Sequence, residues 1–204
     1  MKGIIMSEQS KDKHQQRQQK LKDQVDARIA AAQQEKGIFQ VITGNGKGKS
    51  TSGFGVVARC VGHGKKAAVC QYIKGTWECG ERNLLQSAGV EFVVMGTGFT
   101  WNTQDKESDT AAAQAAWQES KRLLSDASLD VVLLDELTYM VTYGYIDVDE
   151  VLEAISNRPP MQSVIITGRA AHRKLIELAD TVSEVRNVKH AFDAGVKALQ
   201  GFDY

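Results

Sequence analysis

From Ile38 onward, short β-branched runs alternate with longer helical stretches. The runs predict strands over 39–42, 67–72, 90–95, 131–134, 164–166 and 181–185. Several of them, Val131-Val132-Leu133-Leu134 above all, are continuously apolar rather than alternating, which suits strands covered on both faces. Between them the 3.6-residue period predicts helices over 51–61, 81–88, 110–125, 148–156 and 172–179. This βαβ rhythm predicts an α/β fold, a doubly wound, mostly parallel six-stranded sheet flanked by helices. Pro159 and Pro160, the two prolines of the chain, follow the helix at 148–156 and stop it.

The pattern before Gly37 is different. Residues 1–36 hold eight Gln, eight Lys or Arg, five Asp or Glu and no aromatic residue, a composition that cannot build a core. Leu21, Val25, Ile29 and Ala32 nevertheless recur at steps of four and three, giving one narrow apolar stripe. The reading is two parts: a Gln-rich N-terminal arm with an amphipathic helix over 1–36, and a core-forming α/β domain over 37–204. So thin a stripe does not stabilise a lone helix, so the arm either docks on this domain, on a second subunit or over a ligand, or stays mobile.

Composition narrows the class. At 204 residues and 42% hydrophobic, the chain is long enough for a real core. Lys plus Arg and Asp plus Glu both number 25, so no overall basic field exists to hold nucleic acid, and any anion must be held locally. Cys60, Cys70 and Cys79 form no CxxC pair, which predicts a reduced, cytoplasmic setting. No apolar run approaches the roughly 18 residues that cross a bilayer, and no signal peptide is recognisable, so no membrane partner is expected.

The first candidate chemistry follows the first strand: Thr43-Gly44-Asn45-Gly46-Lys47-Gly48-Lys49-Ser50-Thr51. Glycines let backbone N–H groups turn toward an anion, and the following helix presents its positive end to the same point. Lys49 would neutralise phosphate oxygens and Ser50 would ligate Mg²⁺. The strict G-x-x-x-x-G-K-[ST] spacing puts Thr43 where its first glycine belongs. The second signal is the apolar strand ending in Asp135-Glu136. Acids at the carboxyl end of a strand face the ligand edge of an open α/β sheet. Adjacent strand residues point to opposite faces, so one acid would bind the metal and the other position it.

Three further segments reach that edge. Phe99 and Trp101, on a Gly-flanked loop, either cover a ligand or plug the core of the domain. Thr167-Gly168-Arg169 brings a cation or merely caps a helix, and His190 reads, on its own, as an ordinary histidine. Together the loop 43–51, Gln71-Tyr72-Ile73-Lys74-Gly75, Met95 to Trp101, Leu134 to Tyr139, Ile166 to Arg169 and Val188 to Gly195 resemble the P-loop class of ATP:cob(I)alamin (corrinoid) adenosyltransferases, over essentially the whole chain. The loop of that family likewise resembles G-x-G-K-G-K-[ST], which covers the departure at Thr43.

The resemblance implies a RecA-like P-loop fold and transfer of the 5′-deoxyadenosyl group of ATP to Co(I) of a corrinoid, with release of triphosphate, in cobalamin biosynthesis or salvage. It implies that ATP is bound by Gly44, Asn45, Gly46, Lys47, Gly48, Lys49, Ser50 and Thr51, lying reversed in the loop, and that Mg²⁺ or Mn²⁺ is held by Ser50, Asp135 and Glu136. Lys49, Glu136, Phe99 and Trp101 would serve catalysis, the two aromatics excluding the lower axial ligand of cobalt; Phe99, Trp101 and His190 would meet the corrinoid. It further implies a homodimer, a reduced flavoprotein as transient electron donor, and an N-terminal helix acting as a lid. The rival readings are a RecA-like ATPase giving ADP and phosphate, in which Glu136 polarises water, and a non-catalytic nucleotide sensor.

Overall fold

Six β-branched runs become six strands, all parallel, in a computed structural model that describes residues 8–73, 78–96 and 106–203. In chain order they are β1 (Phe39–Thr43), β2 (Ala67–Gln71), β3 (Glu91–Val94), β4 (Val131–Asp135), β5 (Ser163–Thr167) and β6 (Thr181–Glu184). The helices are α1 (Glu8–Ala31), α2 (Lys49–Gly62), α3 (Gly80–Ser87), α4 (Lys106–Ser125), α5 (Leu137–Thr142), α6 (Val148–Ser156) and α7 (Arg173–Leu178). Every strand and helix predicted after Gly37 is present, within a few residues at its ends. The short α5 and a 3₁₀ turn over Phe192–Ala194 were not predicted: α5 begins one residue after β4 with no turn signal between them, and three residues are too few to show a helical period.

The strand order is β3-β2-β4-β5-β1-β6, a RecA-like arrangement. Its consequence is that β5 lies between β1, which feeds the glycine-rich loop, and β4, which ends in the acids. Two strand spacings hold loop and acids about 10 Å apart. Apolar residues go to both faces, as the continuous runs require. Leu134, Ile166 and Cys70 join Trp117 of α4, Val151 and Ile155 of α6 and Leu175 of α7 in one cluster. Their strand neighbours Leu133, Ile165 and Val69 join Phe54 and Val57 of α2 and Leu85 of α3 in the other. Each fully buried side chain of this size contributes about 1.5–3 kcal/mol. Trp117 is buried whole and its Nε1 donates to Glu150 at 3.1 Å, so the largest core side chain keeps its polar atom satisfied.

The chain divides into two compact units, residues 1–35 and 36–204. The first is α1, carrying Leu21, Val25 and Ile29 along one side; Gln19 donates to Asp23 one turn on, at 2.7 Å. The second holds the sheet and all the other elements. No helix among the described residues is long and apolar enough to cross a membrane.

Candidate functional site

Thr43 shows why the loop departs from the strict pattern. It is the last residue of β1, paired with Glu184 of β6, and its hydroxyl accepts from the Ala171 N–H at 3.2 Å. The turn falls to the next residue. Gly44 has φ +102°, and a Cβ there would lie 2.4 Å from the Val185 carbonyl oxygen, so no other residue fits. Gly46 N–H donates to Val185 O at 2.7 Å, which ties the loop to the end of β6. From Gly48 the chain enters α2, whose first turn has no side-chain cap and no acid. Such a helix start presents unpaired N–H groups and a positive dipole end.

Asn45 to Thr51 line one side of a cavity of about 620 Å³; Glu136, Tyr139, Arg169 and His190 line it from other elements, a size ordinary for a small-molecule site. Lys49 is buried within the loop and its Nζ donates to Gly46 O at 2.8 Å. Burial pushes its ammonium below the ordinary lysine range, Glu136 opposes that shift, and Arg169 adds to it. Burial, reinforced by Glu136, pushes the Tyr139 phenol up, so it stays protonated and able to donate.

The two acids, adjacent in sequence, occupy different environments. Asp135 is fully buried and does not line the cavity. Its Oδ1 accepts from the Thr167 hydroxyl at 2.7 Å, and Gln71 Nε2 reaches its Oδ2 at a long 3.5 Å. Glu136 is half-buried on the cavity wall, in a left-handed backbone conformation of φ 63° that costs a non-glycine residue about 1–2 kcal/mol. Its N–H donates to Thr167 Oγ1 at 3.0 Å, and Thr138 Oγ1 donates to Arg169 O at 2.7 Å. A Cβ on Gly168 (φ +136°) would stand 2.0 Å from Thr138 Oγ1. The segments after β4 and β5 are thus sewn together where both face the loop.

Of the residues singled out from sequence, Asn45, Gly46, Lys47, Gly48, Lys49, Ser50, Thr51, Glu136 and His190 all meet at this cavity. Gly44 shapes the turn behind it and Asp135 lies beneath it. Phe99 and Trp101, with Lys74 and Gly75, lie outside the described residues. Ser50 and Glu136 offer hard oxygen donors, which suit Mg²⁺ or Mn²⁺. Among the described residues no three His, Cys, Asp or Glu side chains converge as a metal cage, so a cation here would take its remaining ligands from phosphate and water, as Mg²⁺ commonly does.

One contributor gave no sequence signal. The last described residues fold back onto the loop: Asp203 pairs with Lys47 at 2.8 Å, and the Lys47 ammonium sits 5.9 Å from the Phe202 ring centre. A lone acid and a lone aromatic carry no local pattern, so only the tertiary contact reveals them.

The family described as ATP:corrinoid adenosyltransferase BtuR/CobO/CobP matches residues 35–204. The corrinoid adenosyltransferase of Escherichia coli (strain K12) is 64% identical over 195 residues, 96% of this chain and 100% of its own length. The corrinoid adenosyltransferase CobA of Salmonella typhimurium is likewise 64% identical, over the same shares of both chains. That of Pseudomonas aeruginosa is 46% identical over 200 residues, 97% of this chain and 98% of its own. The match takes in the glycine-rich loop, both acids and the C-terminal segment, and the relatives align nearly end to end. The chain belongs to the ATP:corrinoid adenosyltransferase family.

Proposed function

We infer that this chain transfers the 5′-deoxyadenosyl group of ATP to the cobalt of a reduced corrinoid and releases triphosphate, in cobalamin biosynthesis. The carrying observation is that a glycine-rich phosphate cradle, Lys49, Glu136 and Arg169 converge on one cavity at the carboxyl end of the sheet, in a member of this family.

In the transfer, the electron pair of Co(I) forms the Co–C5′ bond while the C5′–O5′ bond breaks, its pair leaving on the triphosphate. Co(I) is already a strong nucleophile, so the tasks of the protein are in-line orientation and stabilisation of the leaving group. Lys49 and the first-turn amides of α2 hold the polyphosphate, with the nucleotide reversed so that C5′ faces outward. Arg169 adds a second cation to the lining of the same cavity. Ser50 and Glu136 would hold Mg²⁺ or Mn²⁺, with Asp135 supporting from beneath; a cation held there would supply charge neutralisation to the triphosphate leaving group.

Phe99 and Trp101 form the apolar wedge that keeps the lower axial ligand off cobalt, and His190 contacts the corrinoid. A homodimer, a reduced flavoprotein donor and a lid made by the N-terminal helix complete the reading. Buried free thiols at Cys60, Cys70 and Cys79 support a cytoplasmic setting.

An anaerobic mixture of chemically reduced cobalamin, ATP and enzyme tests this: the expected products are a light-sensitive Co–C species and triphosphate. ADP and phosphate as the sole nucleotide products would overturn it. Phe99→Ala and Trp101→Ala slow adenosylation of Co(II)-derived substrate while leaving ATP binding unchanged in titration; unchanged turnover in both removes the wedge.

A further inference from the structure

Thr167 has no direct place in the chemistry above, yet its hydroxyl is the junction of the acidic pair. It is fully buried at the end of β5, the strand between loop and acids. A hydroxyl has one hydrogen to donate and lone pairs to accept with. Here the hydrogen goes to Asp135 Oδ1 at 2.7 Å, and a lone pair takes the Glu136 N–H at 3.0 Å. The second bond fixes the peptide that turns the chain into the left-handed conformation of Glu136, φ 63° and ψ 20°. That turn carries the Glu136 side chain away from the buried path of Asp135 and onto the cavity wall. A strained conformation persists only where surrounding contacts hold it.

We propose that Thr167 is a positioning residue for Glu136: its hydroxyl, clamped between the Asp135 carboxylate and the Glu136 amide, holds the turn that presents the Glu136 carboxylate to the nucleotide-bound divalent cation. This rests on the reading of the cavity as the metal–ATP site. Asp135 then serves as the anchor of the clamp rather than as a ligand. A threonine that merely satisfied a buried carboxylate would affect folding stability and leave the cation response untouched.

The test is equilibrium titration of ATP into the full chain, with Mg²⁺ and with EDTA, for wild type, Thr167→Val, Thr167→Ser, Glu136→Gln and the double variant Thr167→Val/Glu136→Gln, with thermal melts alongside. In Thr167→Val the tightening of ATP binding by Mg²⁺ falls about tenfold, the size expected when a partner behind a metal ligand is lost, while binding in EDTA changes less than about twofold. Thr167→Ser retains the wild-type response. In the Glu136→Gln background Thr167→Val has no further effect, because both changes remove one interaction. Thr167→Ala, which also lacks the hydroxyl, carries the same expectation should the valine variant not fold. A full Mg²⁺ response in the hydroxyl-free variants, equal losses with and without Mg²⁺, or additivity with Glu136→Gln overturns the proposal alone. A wild-type chain indifferent to Mg²⁺ overturns the reading of the cavity, and this inference with it.

Discussion

Lys49 combines three properties that rarely coincide: burial, a carbonyl partner within its own loop, and a carboxylate across the cavity. Desolvation makes its charge costly in the empty protein and valuable once a polyphosphate arrives, since electrostatic stabilisation strengthens where water is excluded. Lys49→Ala is therefore expected to lower kcat/KM by about a hundredfold or more, the cost of removing one preorganised donor, with the melt showing an intact fold. The pH response follows from the lowered ammonium. The folded chain gives up this proton below the ordinary lysine value of 10.5, whereas the unfolded chain holds it up to that value. Between the two, unfolded molecules bind more protons, so the contribution of this group to stability increases with pH and is lost as pH falls through the folded value. ATP affinity moves the opposite way, weakening in that alkaline window as the charge disappears; titrations run upward in pH to the ordinary lysine value of 10.5 check the sign. Lys49 and Glu136 were legible because each sits in a short ordered pattern. The burial of Asp135 was not, because nothing within Asp135-Glu136 says which acid turns outward. That depends on Thr167, 32 residues away.

Among the elements, β5 matters most for the site although it contributes little chemistry, because it spaces β1 from β4 and ends in the residues that sew the loops together. Its apolar run announced a strand, and no run announces its neighbours. The segment after Val188 is the opposite case. It holds exposed Phe192 and Phe202 and little regular structure, yet it lays Asp203 against Lys47, which holds that carboxyl below the usual range. An acid paired to a loop lysine competes with a phosphate oxygen for that cation. Asp203→Asn is expected to lower KM for ATP about twofold to fivefold, the modest effect of an exposed ion pair, leaving kcat for bound ATP unchanged; a raised KM would mean that the pair supports the loop instead. For α1, the narrow stripe of Leu21, Val25 and Ile29 predicts a helix that works against another surface. Deletion of residues 1–35 should raise KM for the corrinoid more than KM for ATP, and the reverse order would count against a lid.

For the molecule as a whole, equal numbers of acidic and basic residues mean that affinity for a polyanion must come from converging local groups. Saturating Mg²⁺–ATP at a hundred times its Kd adds about 2.7 kcal/mol to the folded state, which for a chain of this size is a rise in Tm of about 5–10 °C. Calorimetry should show that rise for the full chain and, if the 36–204 unit carries the nucleotide site unaided, an equal rise after removal of residues 1–35. The class of fold, its six strands, the phosphate loop and the acidic pair were all readable from residue order, since each depends on neighbours a few positions apart: a period, a turn, a helix start. Strand order, the side on which each acid emerges, the clamp at Thr167 and the return of Asp203 to the loop were readable only after folding. They join residues dozens to more than a hundred positions apart, and such contacts are chosen by the packing of both sheet faces at once rather than by any local preference of the chain.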